Sequence, residues 1–443
     1  MTIEELKKKK IGFISLGCDK NRVDLEKMIY KCKAFGLGIV NDPGLANIII
    51  VNTCSFLESA RLESIENILE MSVYKAENLE KLIVTGCLNE LGYADLDESL
   101  PEVDSFVRIA KNEDIVSIIA KLYDLDINDE IVSGRVLTTA NHYSYLKIAD
   151  GCNNFCSYCL IPYIRGRNKS TDMDALYNEA KDLANKGVKE LILVAQDVTK
   201  YGLDLYKKRA IVDLIHKLST IDKIEGIRLL YCYPEEMSDE LIEEIATNPK
   251  VIKYLDIPLQ HISNSVLKNM NRKSTKESIY KLFEKLQTRI PNIVLRTTFI
   301  LGFPGETEEN VNEIKDFLTK FKLQNVGFFK YSREEGTRAY SFDGQIDEEI
   351  KEARLQYLSQ IQYDIQLSYN DSLIGKEFDA TIDYVEGETS IARYYGQAPL
   401  IDSVIYINEP LEIGKKYKIK ITNKSDYDLE GERLWWTCLI KLV

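Results

Sequence analysis

Cys152, Cys156 and Cys159 lie close together in the stretch Ala149-Asp-Gly-Cys-Asn-Asn-Phe-Cys-Ser-Tyr-Cys-Leu160. Four thiolates would close a tetrahedral structural metal site. Three in one short C-x3-C-x2-C loop fit a 4Fe–4S cluster that leaves one iron without a protein ligand. Such an open iron can bind a substrate or cofactor directly. Two plainer readings stand beside this one: a zinc ion completed by a distant His, and thiols grouped by chance.

A second trio is spread over the first part of the chain. Cys18, Cys54 and Cys87 are 36 and 33 residues apart, an interval of about one βα unit. Each directly follows a strand-like run: Phe13-Ile-Ser-Leu-Gly-Cys18, Ile50-Val-Asn-Thr-Cys54 and Ile83-Val-Thr-Gly-Cys87. In a parallel α/β sheet, residues just past the carboxyl ends of strands line one crevice, so three distant thiols can converge there. Gly17 and Gly86 let the backbone turn tightly before the cysteine. A free Cys is often just a small buried hydrophobe. That reading suits Cys32, Cys232 and Cys438, which show no spacing pattern, better than three equivalent strand ends.

The elements that must position these thiols follow from periodicity. Ile11–Leu16, Asn47–Asn52, Lys81–Thr85 and Val103–Ile109 are short Ile/Val-rich runs with turn residues at their ends, which predict strands. Helical patterns at Asp24–Phe35, Leu57–Lys75, Asn89–Leu96 and Asn112–Tyr123 alternate with them, and Gly36 is a helix stop. This is a flavodoxin-like or Rossmann-like parallel sheet domain over residues 1–125, with helices on both faces. Residues 126–142 are polar and weakly periodic and are read as a linker.

A second βα series occupies residues 143–371. Its strands are Tyr145–Asp150, Glu190–Gln196, Gly226–Tyr233, Lys253–Leu259, Val294–Leu301 and Val326–Tyr331, and a long helix closes it at Asp347–Leu373. Six units are two short of an eight-stranded barrel, which predicts an open, partial (βα)6 TIM-like barrel with a wide mouth. Residues 372–443 change to short alternating strands at Phe378–Val385, Ser390–Tyr394, Val404–Ile407 and Tyr417–Thr422, which suit a small OB-like β-barrel.

The 443 residues carry 57 Lys and Arg against 70 Asp and Glu, a net charge of −13. That balance argues against a whole-molecule grip on nucleic acid and suits a basic partner. Nine cysteines in so long a chain are too few for a disulfide scaffold. No apolar run approaches the ~18 residues of a membrane span. The chain therefore reads as cytoplasmic and reduced, with no membrane partner.

Six cysteines in this order resemble the methylthiotransferases, a subgroup of the radical S-adenosylmethionine (SAM) enzymes. The resemblance covers nearly the whole chain: a cysteine-bearing N-terminal domain, a radical SAM partial barrel and a C-terminal TRAM domain. It implies two 4Fe–4S clusters, one on Cys18, Cys54 and Cys87 (auxiliary) and one on Cys152, Cys156 and Cys159. It also implies SAM as cofactor and a reductant such as flavodoxin or ferredoxin. In the family, the barrel cluster cleaves SAM to a 5′-deoxyadenosyl radical, which takes hydrogen from an unactivated carbon. The other cluster delivers the methylthio group.

Three features favour the branch that modifies the β-carbon of an aspartate of small-subunit ribosomal protein twelve, free or in the assembled subunit. Ser15-Leu-Gly-Cys-Asp-Lys-Asn-Arg-Val-Asp24 resembles that branch's SLGCPKN-x-VD, with Asp19 in place of the proline. Tyr254-Leu-Asp-Ile-Pro-Leu-Gln-His261 matches the same branch. From Ser372 to Val443 there are nine Lys and Arg against twelve Asp and Glu, which would repel a phosphate backbone. The runner-up is a tRNA adenosine methylthiotransferase, with tRNA the less favoured partner. A reading from another class is a non-catalytic iron–sulfur scaffold. The apolar end, Leu434 to Val443, departs from the family pattern.

Further site candidates are weaker. Tyr158, inside the cysteine loop, is implied by the resemblance to lie against SAM. Gln196, with Asp197, closes the second barrel strand, where barrel active sites gather; Asp197 equally suits a cap on the next turn. Arg296 and Thr298 lie on the fifth strand, and Arg296 needs an anionic partner, either a SAM carboxylate or a barrel aspartate. Gly302 opens Gly302-Phe-Pro-Gly305, which resembles the glycine motif behind the SAM adenine. His261 is read as either a substrate contact or a structurally bonded residue. Arg165 and Arg167 are read as lining the mouth or meeting solvent.

Overall fold

A computed structural model describes residues 1–91, 96–127 and 133–435. The first sheet is parallel, in the order Gly38–Ile39, Lys10–Ser15, Ile48–Thr53, Lys81–Gly86, Ser105–Val107. By position along the chain this is 2-1-3-4-5, the flavodoxin-like winding, whose direction switches between the Lys10–Ser15 and Ile48–Thr53 strands. Cys18 and Cys54 follow those two strands. Alternate residues feed opposite faces: Ile48 and Ile50 join the core under the helix Asp19–Phe35, while Ile49 and Val51 pack under the helix Glu58–Ser72. Each fully buried Ile or Leu stabilises by ~1.5–3 kcal/mol. Gly36 ends the first of these helices with φ 113°.

The strand Gly38–Ile39 escaped the sequence reading because two exposed residues carry no periodic signal. The helix expected over Asn89–Leu96 falls partly outside the described residues. What is described is a 3-10 turn at Cys87–Glu90 and a short helix at Leu96–Ser99.

The second sheet has six parallel strands in chain order: Tyr143–Lys147, Glu190–Val194, Gly226–Leu229, Val251–Asp256, Val294–Leu301 and Asn325–Lys330. Its first and last strands do not meet, so the barrel is open, as the six units predicted. Its outer layer is one large core in which the long helix Glu348–Leu373 covers the open side through Leu358. On the inner side, Tyr145, Ile192, Val194, Leu230, Tyr254 and Val294 pack with Val23 of the first domain and Ala398 of the last. The lumen is thus filled partly by its neighbours.

Of the linker expected over 126–142, the described residues 133–142 pack in part against the neighbouring domains. Arg135 is buried with its guanidinium on Glu26 and Glu179, the latter at 2.8 Å, and Val136 packs on the first core. Arg135 contributes to the polar reading, yet its charge is spent on internal ion pairs that join two domains. The last domain is a closed five-stranded barrel in the order Glu377–Glu386, Thr389–Arg393, Ile405–Ile407, Asp428–Arg433, Lys416–Ser425. Asp428–Arg433 escaped the sequence reading because Asp-Leu-Glu-Gly-Glu-Arg contains one apolar residue. Residues 436–443, including Cys438, lie outside the described residues. Among the described residues no helix is long and apolar enough to cross a membrane.

Candidate active site

The first trio converges where the sheet topology predicts a crevice. Gly17 has φ 91°, and a Cβ there would stand 2.9 Å from Cys54 Cβ and 3.1 Å from its Sγ, so the first two cysteine loops touch. Gly86 has φ 96°, and a Cβ there would lie 2.4 Å from the Thr53 carbonyl, so only glycine fits beside that strand end. Asn21 ties the three strand ends together. Its Nδ2 donates to the Leu16 and Thr53 carbonyls at 3.0 Å each, and Cys87 Sγ lies 3.9 Å from its Oδ1. Burial raises the Cys54 thiol, and pushes Cys87 up to about 11 against the pull of Arg165.

The second trio sits in a loop bracketed by a two-stranded ribbon, Ala149–Asp150 with Lys169–Ser170. Phe155 takes φ 48° to turn the loop, and Asn271 Nδ2 donates to its carbonyl at 2.8 Å. Backbone N–H groups already point at sulfur: Asn154 N to Cys152 Sγ and Ile161 N to Cys159 Sγ, each at 3.4 Å. Tyr233 Oη lies 3.9 Å from Cys156 Sγ. Burial raises the Cys152 and Cys159 thiols. Buried, proton-bearing thiols with N–H donors aimed at sulfur suit iron ligation, which displaces the proton and uses those donors.

Among the described residues the zinc alternative finds no histidine placed as a fourth ligand. The chain has three His, and each faces a carboxylate: His142 Nε2 lies 2.7 Å from Asp383, His216 Nε2 2.5 Å from Glu244 and His261 Nε2 3.2 Å from Glu306. Among the described residues no three His, Cys, Asp or Glu side chains close to the spacing of a single ion. A cluster's thiolates bind three different irons and so stand farther apart.

The other expected residues divide. Tyr158 packs beside Phe303 and Tyr331 next to the cysteine loop. Gln196 Nε2 reaches Asp150 at 3.3 Å, and its buried Oε1 has no partner. Asp197 caps the turn after its strand, with Oδ1 accepting from Thr199 N at 3.2 Å. Along Val294–Leu301, Arg296, Thr298 and Ile300 alternate with more deeply buried neighbours and so share the lumen face. Arg296 meets Asp256 at 3.4 Å and Asp402 at 3.5 Å, so of the two partners left open, a barrel aspartate is the one present. Gly302 has φ 74°, packs on the Lys351 stem and donates its N–H to Glu306. His261 is wholly buried, its Nδ1 accepting from Ile262 N and Ser263 N at 2.9 Å, while its Nε2 makes no hydrogen bond among the described residues.

The two arginines read as lining the mouth or meeting solvent divide. The Arg165 side chain is 2% exposed and lies between the two trios with Asn21, Asp24 and Asp150. Arg167 is exposed but stacks on the Phe155 ring at 4.5 Å. Asn21 and Asp24 were visible only as members of the run after Cys18, with no role readable from it.

Comparison with known proteins matches three families along the chain. Residues 146–318 match the radical SAM superfamily, 10–108 the family described as "Uncharacterized protein family UPF0004", and 374–434 the TRAM domain. Ribosomal protein uS12 methylthiotransferase RimO of Clostridium tetani is 47% identical over 433 residues, covering 95% of this chain and 97% of that protein. The protein of the same name from Acetivibrio thermocellus is 46% identical over 445 residues, covering 96% and 98%. The chain belongs to the ribosomal protein uS12 methylthiotransferases. Among solved structures, the radical SAM methyltransferase TsrM from Kitasatospora setae superposes with a TM-score of 0.55 at 13% identity, covering 72% of each chain. At that identity the likeness concerns the fold. The uS12 methylthiotransferases thus share with this chain the domain order and the full span that contains both trios.

Proposed function

We propose that this chain attaches a methylthio group to the β-carbon of an aspartate of ribosomal protein uS12, in the cytoplasm where small subunits assemble. The observation that supports the reading is that the two cysteine loops are neighbours, with Cys87 packed against Leu160 and Ile164 just after the barrel trio and Arg165 reaching its sulfur. The near full-length similarity to uS12 methylthiotransferases supports it. Cys152, Cys156 and Cys159 would hold one 4Fe–4S cluster and Cys18, Cys54 and Cys87 the other. When bound, the clusters and SAM supply the radical hydrogen abstraction and the sulfur group, which no side chain can provide.

The chain's own residues do the rest. The N–H groups of Asn154 and Ile161 orient the barrel thiolates. Tyr158 and Gln196 flank the site where SAM would lie. Arg296, held by Asp256 and Asp402, would bind SAM together with Thr298 and Gly302. Cys87, Cys152 and Cys156 are buried, whereas Cys18 at the edge of the first trio is exposed. A net charge of −13 suits a basic ribosomal protein and disfavours tRNA.

Mass spectrometry of uS12 and of digested tRNA from a strain lacking the gene tests the assignment. The reading expects the methylthio mass to vanish from uS12 and to persist in tRNA. Loss from tRNA alone would overturn it.

A further inference from the structure

The two cysteine trios are joined by one side chain. Arg165 follows the barrel cysteine loop in sequence, yet its Nη2 lies 3.8 Å from Sγ of Cys87, 78 residues away in the other domain. The same Nη2 donates to Asn21 Oδ1. Its Nη1 donates to Asp24 Oδ2 at 3.0 Å and to Asp150 Oδ2 at 2.9 Å. Lys147 completes the group, with its ammonium on Asp24 and, at 2.9 Å, on Asp150. Two cations and two carboxylates balance, so the group is neutral as a whole and the guanidinium is held firmly by its acids. A buried Arg fork gripped from both domains is fixed in direction, and what it presents to the first trio is an N–H aimed at sulfur.

We propose that Arg165 is a positioning residue contributed by the barrel to the auxiliary site, whose N–H···S bond to Cys87 raises the reduction potential of the cluster held there. The inference rests on the two-cluster reading above. Hydrogen bonds to cluster sulfurs and nearby positive charge stabilise the reduced, more negative state. The other acceptors of Arg165 explain why it is set between the sites. Asp24 lies on the helix that begins after Cys18, and Asp150 lies two residues before Cys152. A shift of the barrel loop would therefore move the donor relative to Cys87. The auxiliary site is incomplete without the barrel, although all three of its thiols come from the first domain.

The test is a potentiometric titration followed by electron paramagnetic resonance on the full chain. Cys152, Cys156 and Cys159 are changed to Ala so that only the auxiliary cluster gives a signal. Arg165→Gln shifts the midpoint to more negative potential. Arg165→Lys, which keeps the charge and loses the fork, falls between wild type and Arg165→Gln. In the complementary background, with Cys18, Cys54 and Cys87 changed to Ala, Arg165→Gln leaves the barrel cluster's midpoint in place. If Arg165→Gln takes up no auxiliary iron while the barrel cluster loads, Arg165 is needed at that site, and the Arg165→Lys midpoint is read in its place. An unchanged midpoint at full iron content overturns the proposal alone. Arg165→Gln protein that loses both clusters shows a general folding role and overturns it too. A wild-type chain loading only about four irons overturns the two-cluster reading and the proposal with it.

Discussion

Asn21 Nδ2 donates a 3.0 Å hydrogen bond to the carbonyl of Thr53, the residue immediately before Cys54. The same nitrogen holds the Leu16 carbonyl two residues before Cys18, and the Asn21 carbonyl accepts from Asn52 Nδ2 at 2.9 Å. One amide side chain therefore sets the spacing of two cysteine loops. Asn21→Ala leaves the buried Thr53 carbonyl and the half-buried Leu16 carbonyl short of a donor, at about 1–3 kcal/mol for a buried group left unsatisfied. Auxiliary iron uptake should fall while the barrel trio still loads, as read by iron analysis of Asn21→Ala in the two triple-alanine backgrounds.

Gly86 tests the same strand ends by sterics. At φ 96°, with a Cβ 2.4 Å from the Thr53 carbonyl, Gly86→Ala must push apart two adjacent strands. The strained backbone alone costs about 1–3 kcal/mol. A lower melting temperature than wild type, with auxiliary iron reduced, is expected. An unchanged melting temperature would show that the strand ends yield freely.

The meeting of Cys18, Cys54 and Cys87 was legible because parallel strands present their carboxyl ends together and a βα unit has a nearly fixed length, while the other trio stood out as one short loop. Arg165 was not legible. Its partners Asn21, Asp24 and Cys87 come from another domain, and a lone Arg after a loop has no periodic signature. The buried Arg135 misled for a related reason: a segment of charged residues reads as solvated until the partners Glu26 and Glu179 are known. Arg296 shows the reverse case, since a lone cation on a lumen-facing strand position implied an anionic partner, and Asp256 on the neighbouring strand supplies one.

The last barrel is fastened to the partial barrel by a pH-sensitive contact. Burial works against ionisation of Glu190, but Arg393 at 2.6 Å and Arg228 at 2.8 Å hold its carboxyl down to about 2, from 4.5. A carboxyl depressed by folding contributes stability that is complete above its unfolded value and is lost as pH falls through its folded value. Wild type should therefore lose this contribution between about pH 4.5 and 2. Glu190→Gln should be less stable at neutral pH and lose less over that window, as measured by denaturant unfolding at each pH.

Cys156→Ala removes one barrel ligand and should abolish formation of 5′-deoxyadenosine from SAM. Iron should fall from about eight to about four per chain. The auxiliary trio keeps its three thiols and the contacts of Asn21 and Arg165.

The central claim is that two thiol trios do different jobs. Reacting wild type and Cys54→Ala with uS12, SAM and a reductant, then weighing the uS12 product and assaying 5′-deoxyadenosine, separates those jobs in one experiment. The account predicts that Cys54→Ala still cleaves SAM but yields no methylthiolated uS12. Methylthiolated uS12 from Cys54→Ala at the wild-type level would contradict it.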